Sequence, residues 1–208
     1  MDFLEIEKII LQDDTRGMSS LYELINKGFI ERSADLLLNT KGKIFICSGF
    51  YILKSKSPET DGPPGAISLG KTLEALDNEV YYVTDKYSKS IFEGMSDRNK
   101  VLEFPITSHA ESNKIANDLI QIYNPQLVVS IERAGLSSDG KYRNFRGVDF
   151  SDYNAKIDYL FIDEFVQECK NVKQKVELRK HHGYGHSYYF IQTFIKDHFD
   201  FHSKILIK

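Results

Sequence analysis

Gln126-Leu127-Val128-Val129-Ser130-Ile131-Glu132 is the stretch that decides the fold. It is an apolar run entered from Pro125 and left at a charged pair, Glu132-Arg133. Such a run reads as a strand buried on both faces, the kind found in parallel sheets covered by helices. Working outward, Ala110–Tyr123 carries Ile115, Leu119, Ile120 and Tyr123 at helical spacing. Upstream of it lie a short strand, Val101–Phe104, and a short helix, Ser88–Met95. Glu79–Thr84 has strand composition, and Pro64–Leu76 places Ala66, Leu69, Leu73 and Leu76 on one helical face. Lys43–Cys47 is a short strand between Gly42 and Ser48-Gly49, and Leu21–Leu38 is a helix by the spacing of its apolar residues. Strand and helix alternate four times. The expectation is a three-layer α/β fold, a mostly parallel sheet with helices on both faces. There is no internal repeat and no low-complexity linker.

The chain has 208 residues, enough for one domain with a real core. Hydrophobic residues at 41% and charged residues at 27% are ordinary globular composition. A net charge of −3 gives no electrostatic reason to bind nucleic acid or an anionic membrane. The longest apolar stretches are about half a transmembrane span, so no membrane partner is expected. Met1-Asp2-Phe3-Leu4-Glu5 lacks the basic-then-apolar pattern of a leader, and Cys47 and Cys169 alone make no disulfide framework. A reducing cytoplasm is the expected compartment.

Right-handed crossovers put the carboxyl ends of all parallel strands on one edge, where open α/β sheets bind ligands. The residues at those ends are Ser48-Gly49, Thr84-Asp85 and Glu132-Arg133. Asp85 also suits a cap for the following helix. A second feature is the loop Glu59-Thr60-Asp61-Gly62-Pro63-Pro64-Gly65-Ala66, which runs into a helix. Gly62 allows a turn closed to other residues, and Pro64 suits a first helical turn. A helix N-terminus attracts anions, whereas Glu59 and Asp61 could hold an ammonium group or a metal. The plain alternative is a rigid connection with an aspartate cap. Ser130–Asp149 is the third feature. Arg143 and Arg146 would share a face if that segment were helical, and guanidinium groups hold carboxylates through paired hydrogen bonds. The plain alternative there is an exposed loop with solvated charges.

Five of the six histidines, His181, His182, His186, His198 and His202, lie in the last 28 residues. His182 and His186 have helical ligand spacing, but Gly183 and Gly185 between them work against a helix, and no metal-ligand set is expected. Cys47 reads as a buried small residue rather than a nucleophile.

Taken in order, Asp14-Thr15-Arg16-Gly17, Cys47-Ser48-Gly49-Phe50, the run Glu59–Ala66, Ser130-Ile131-Glu132-Arg133 and Asp139–Gly147 resemble the D-glutamate cyclase-like C-terminal domain family, in its stand-alone bacterial form. The likeness covers about residues 5 to 165, and the Glu-Thr-Asp-Gly-Pro-Pro-Gly-Ala run is highly specific. It implies a three-layer α/β domain linked to conversion of D-glutamate to 5-oxo-D-proline with loss of water, a hydro-lyase reaction. The substrate would be a small acidic amino acid, and no cofactor is assigned. Such a reaction needs a base, an acid and holders for carboxylates. The expected catalytic residues are Glu59, Asp61 and Glu132. The expected substrate-binding residues are Thr60, Gly62, Gly65, Ser48, Gly49, Asp85, Arg133, Asp139, Arg143 and Arg146.

The family pattern continues with a Gly-Asp-Gly-Gly-Asn-Glu segment and a Gly-Met-Gly, and this sequence contains neither. It runs from Asp163–Lys170 directly into Asn171-Val172-Lys173-Gln174-Lys175-Val176. The expectation is therefore a cyclase-like domain over residues 1–170, and a diverged or truncated remainder over 171–208 left by an internal deletion or a frame shift. Two other functions are compatible with the sequence. One is a non-catalytic domain binding a small anion such as an amino acid or phosphate. The other is an inactive, truncated family member.

Overall fold

The computed structural model describes residues 3–12, 28–137 and 139–161. Four parallel strands form the sheet: β1 (Lys43–Ser48), β4 (Glu79–Thr84), β5 (Val101–Glu103) and β6 (Leu127–Ile131), in the order β5-β4-β1-β6. β1 is central, pairing with β4 on one side and β6 on the other. That position explains why Ile44 to Ser48 are all buried. The strand expected to be buried on both faces, Gln126–Glu132, is instead an edge strand of half-buried and exposed residues. Two short strands, β2 (Tyr51–Ile52) and β3 (Ser57–Pro58), pair antiparallel within the polar loop after β1. No sequence pattern marked them.

Side chains along β1 alternate between two cores, as the twofold repeat of a strand requires. Ile44 and Ile46 pack with Val80 and Tyr82 against Ala66, Ile67 and Leu73 of α3 (Gly62–Ala75) and Phe92 of α4 (Lys89–Met95). Leu37 of α2 (Phe29–Asn39) packs onto the same cluster. Phe45 and Cys47 pack with Val83, Phe104 and Ala116 on the opposite face, which α5 (His109–Tyr123) covers with Ile115, Leu119, Ile120 and Tyr123. Helices on both faces of a parallel sheet make the expected three-layer α/β fold. Burying a Val, Ile or Phe side chain in either core contributes about 1.5–3 kcal/mol.

The helices end where local chemistry says they should. Ser108 Oγ accepts from the Glu111 N–H at 3.2 Å to start α5, and Asn124 closes it in the left-handed region, φ 47°. Helix α2 occupies the second part of the expected helix Leu21–Leu38; residues 13–27 lie outside the described residues. Its start is held by a distant carboxylate. Glu7 of α1 (Phe3–Ile10) is fully buried and accepts from the N–H groups of Gly28 and Ile30 at 3.1 and 3.0 Å. A carboxylate there satisfies otherwise unpaired donors and complements the helix dipole. The expected remainder over 171–208 and its histidines lie outside the described residues. Among the described residues, no helix is long and apolar enough to cross a membrane.

Candidate functional site

The strand register brings the carboxyl ends of β1, β4 and β6 to one edge, with Ser48 opposite Ile131 and Cys47 opposite Val83. The chain then leaves β1 at Gly49, β4 at Asp85 and β6 at Glu132. The Glu59 N–H donates to the Phe50 carbonyl at 2.7 Å, which pins the loop before α3 over the end of β1. The result is a convergence of acids. One carboxylate oxygen from each of Glu59, Asp61 and Glu132 lies within 4.8 Å of the others. Glu59 is half-buried, and Asp61 and Glu132 are exposed. These are the three residues that sequence reasoning assigned to catalysis, drawn from two segments about 70 positions apart. Like charges this close repel, so the arrangement favours a cationic guest.

Two backbone features build the notch. Glu132 has φ +49°, a left-handed conformation uncommon outside glycine, and this turns its side chain at the strand end. Gly62 does not make the turn closed to other residues that the sequence suggested, since it lies in helix α3 without a left-handed φ; it supplies space instead. A Cβ there would lie 2.6 Å from Glu132 Oε2 and 3.2 Å from Ser48 Oγ. Both oxygens therefore face the same spot above Gly62. Ser48 is fully buried, its carbonyl accepts from Thr84 Oγ1 at 2.7 Å, and its own Oγ has no hydrogen-bond partner among the described residues.

The amino end of α3 borders this notch but makes a poor anion cradle. Pro63 and Pro64 have no N–H, so two of the first donors are missing. Asp61 stands at the N-cap position, yet its carboxylate makes no capping hydrogen bond. The bland reading of Asp61 as a cap therefore does not describe its side chain. Of the loop's alternatives, cation binding fits better than phosphate binding. Thr60 and Gly65 are exposed beside it, and the space a Gly65 Cβ would enter is open.

The other end of the edge is a closed network. Arg133 Nη1 donates to Asp85 Oδ2 at 2.8 Å and to the Gly49 carbonyl at 2.6 Å, and Nη2 donates to the Ala155 carbonyl at 2.8 Å. The two side chains are 5% and 2% exposed. Asp85 Oδ1 accepts from the N–H groups of Tyr87 and Ser88, closing the turn before α4, whose N-cap is Ser88 and not Asp85 as the capping alternative had it. Gly49, at φ +118°, passes so near that a Cβ would lie 2.6 Å from Ser88 Oγ. Tyr51 stacks on Tyr153 at 4.5 Å and meets Tyr87 at 4.6 Å, and burial pushes its hydroxyl above the usual range.

The segment after β6 is not helical, so the spacing argument for Arg143 and Arg146 does not apply. Antiparallel bridges pair Leu136 with Tyr142 and Arg143 with Asp149, and the Gly147 N–H closes a turn onto the Asn144 carbonyl at 2.8 Å. Arg143 reaches Asp139 Oδ2 through Nη2 at 2.5 Å and Nε at 3.2 Å, and its Nη1 donates to the Gly147 carbonyl. This bonding holds the Asp139 carboxyl below its usual range. Arg146 is exposed, its guanidinium 5.2 Å from the Phe145 ring centre. The structure thus brings the three acids together and leaves Arg143 and Arg146 on a separate excursion.

Sequence reasoning passed over His109, Tyr142 and Asp158. His109 Nε2 lies 3.0 Å from the Gly140 carbonyl, and Nδ1 lies 3.0 Å from Tyr159 Oη. The carbonyl can only accept, so Nε2 carries the proton and Nδ1 accepts from the tyrosine. Tyr142 is buried and donates to Asp158; burial pushes the Asp158 carboxyl up. His109 ties the excursion to α5 across 31 positions and Tyr142 ties it to Asp158 across 16, separations no local motif could signal.

Residues 6–173 match the model of a family described as D-glutamate cyclase-like, C-terminal. The chain is 31% identical over 143 residues to human mitochondrial D-glutamate cyclase, covering 62% of this chain and 23% of that protein. A shorter likeness, 49% over 49 residues, joins it to S-formylglutathione hydrolase of Arabidopsis thaliana, over 24% of this chain and 17% of that protein. The rat S-formylglutathione hydrolase gives 49% over 47 residues. The chain thus spans less than a quarter of each of these relatives.

Proposed function

This chain belongs to the D-glutamate cyclase-like, C-terminal family, and from that premise we propose that it is a lyase that closes D-glutamate to 5-oxo-D-proline and water. The observation that carries the reading is the convergence of Glu59, Asp61 and Glu132 within 4.8 Å at the carboxyl edge of the sheet. In the reaction the substrate ammonium loses two protons in all, one before and one after its nitrogen bonds to the γ-carboxyl carbon, and both are taken up by the oxygen that departs. A C–O bond then breaks and the oxygen leaves as water. Three crowded carboxylates suit the opening step, because they attract an ammonium and one can take its proton. Close carboxylates also share protons readily, so a second can return a proton to the departing oxygen.

Thr60, Gly62 and Gly65 border the acids and would line the substrate. Ser48 and Gly49 form the floor. Arg133 and Asp85 satisfy one another, so their proposed role is positioning: they fix Gly49 and the segment that follows Glu132. Arg143 and Asp139 do the same for the excursion; Arg146 is exposed there and would reach a substrate carboxylate only if the excursion closes toward the acids. A cytoplasmic setting is compatible with the free, buried Cys47.

The test is an assay of the purified protein with D- and L-glutamate, following 5-oxoproline. Turnover of the D-isomer is expected. A cooperatively melting sample that forms no 5-oxoproline from either isomer overturns the reading. Thermal stabilisation by glutamate in that same sample would show a binding domain instead.

A further inference from the structure

We propose that Glu59, Asp61 and Glu132, with Ser48 Oγ, form a site for one hard divalent cation of the Mg2+, Mn2+ and Ca2+ class. The acids alone would not carry this. The second observation is Ser48, fully buried with an unpartnered hydroxyl. The Cβ position of Gly62 lies 3.2 Å from Ser48 Oγ and 2.6 Å from Glu132 Oε2, so the buried hydroxyl and one of the three carboxylates border the same point. A buried oxygen without a donor or acceptor is costly, and a cation would satisfy it.

The dimensions suit such an ion. Two oxygens on opposite sides of Ca2+ are about 4.6–5.2 Å apart, and on Mg2+ about 4.0–4.2 Å. The three carboxylate oxygens lie within 4.8 Å of one another. At that limit a common centre lies about 2.8 Å from each oxygen, so closing onto Ca2+, Mn2+ or Mg2+ takes shifts of under about 1 Å. The donors are all oxygen, which selects hard cations over zinc or copper. The start of α3 opposes a cation with about half a positive charge, against three carboxylates. Pro63 and Pro64 weaken that opposition further by removing two N–H groups.

A cation would also offset the notch's charge where the glutamate carboxylates approach it, since Arg133 and Arg143 are bonded internally and Arg146 stands on the separate excursion. This last point rests on the cyclase reading, whereas the geometric argument does not. Asp85 and Asp139 are excluded as ligands because arginines already hold them.

The experiment titrates the purified chain with Mn2+ alone, read by calorimetry and by loss of the free-Mn2+ spin-resonance signal. One saturable site per chain is expected by about 1 mM, with Ca2+ competing. Asp61→Asn and Glu132→Gln should each weaken it tenfold or more, and Ser48→Ala by less. Asp152→Asn, on an exposed acid outside the cluster, should leave it unchanged. Both cluster acids are exposed, so the two variants should keep the parental melt. Absence of a saturable site, or parental affinity in the Asp61→Asn Glu132→Gln double variant, overturns the proposal. Turnover of D-glutamate without Mn2+ binding would overturn this site and leave the cyclase reading standing. Binding without turnover would do the reverse.

Discussion

Glu132 and Arg133 are neighbours in the chain and opposite in their surroundings. Arg133 is almost wholly buried, and its guanidinium is met by Asp85 and by the carbonyls of Gly49 and Ala155. Glu132 is exposed and faces two other carboxylates. A charge whose hydrogen bonds are complete within the fold has its work in the fold. Charges of one sign gathered at an exposed notch destabilise it slightly, and their use lies in what they attract. Both pairs looked alike in the sequence, as acidic and basic residues at strand ends. Partner satisfaction separates them, and substitutions should separate them in the same way.

The largest effect should come from the notch, in activity alone. Glu132→Gln or Asp61→Asn is expected to lower turnover of D-glutamate by about 10²–10⁴-fold, with the urea midpoint unchanged or raised, because a repulsion has been relieved. Loss of stability comparable to the loss of activity would place these acids in the structural class. Arg133→Met should do the opposite. It leaves Asp85 buried without its ion-pair partner, at a cost of about 3–5 kcal/mol, roughly a fifth or more of a typical domain's stability. Chemical denaturation reads this directly, and a change of under about 1 kcal/mol would mean that the pair is not holding the edge together.

Gly62→Ala sits between these. Its methyl group meets Glu132 Oε2 and Ser48 Oγ, at the end of a flexible side chain, so the fold should persist. Turnover should fall about tenfold, since misplacing a reacting group by a fraction of an ångström is enough. The smallest effect concerns an acid that is satisfied but exposed. Asp149 accepts from Ser151 through its N–H and hydroxyl and pairs with Lys141, and these contacts hold its carboxyl far below the ordinary 3.8. A lowered carboxyl stabilises the fold above 3.8 and loses that contribution as the pH falls towards the lowered value. Asp149→Asn should therefore flatten the acid limb of the stability curve below 3.8, and leave neutral stability reduced only slightly because solvent screens the site.

Much of this was legible in the sequence because it is local. The continuous apolar runs Leu127–Ile131 and Ile44–Cys47 both signal strands, but only the central one is buried on both faces; at the sheet edge Leu127–Ile131 stays half-buried, with Ser130 exposed. The helix over Pro64–Leu76 showed its amphipathic spacing, and the structure moves its start back only to Gly62. The edge where the site sits followed from strand direction. The grouping of Glu59, Asp61 and Glu132 was named from the family resemblance and then assembled by topology. What escaped was non-local or conditional. The order β5-β4-β1-β6 sets which strand ends adjoin, and no residue encodes it alone. Glu7 beneath α2 and His109 on Gly140 act across 21 to 31 positions. Arg143 and Arg146 were read on a helix that the chain does not form, because Asn144 and Gly147 close a turn there instead. The unpartnered Ser48 hydroxyl could not have been found at all, since only the finished packing shows that nothing meets it.

The left-handed backbone at Glu132 has a consequence for anyone who evolves this protein. Holding a side chain at φ +49° costs about 1 kcal/mol that glycine would not incur, and asparagine would incur less of it. A library screened for heat resistance alone should therefore enrich glycine or asparagine at position 132, together with neutral residues at 61. Its most robust winners would be those that had discarded the notch. Selection for folding and selection for chemistry pull this one position in opposite directions, so a useful screen must apply both at once.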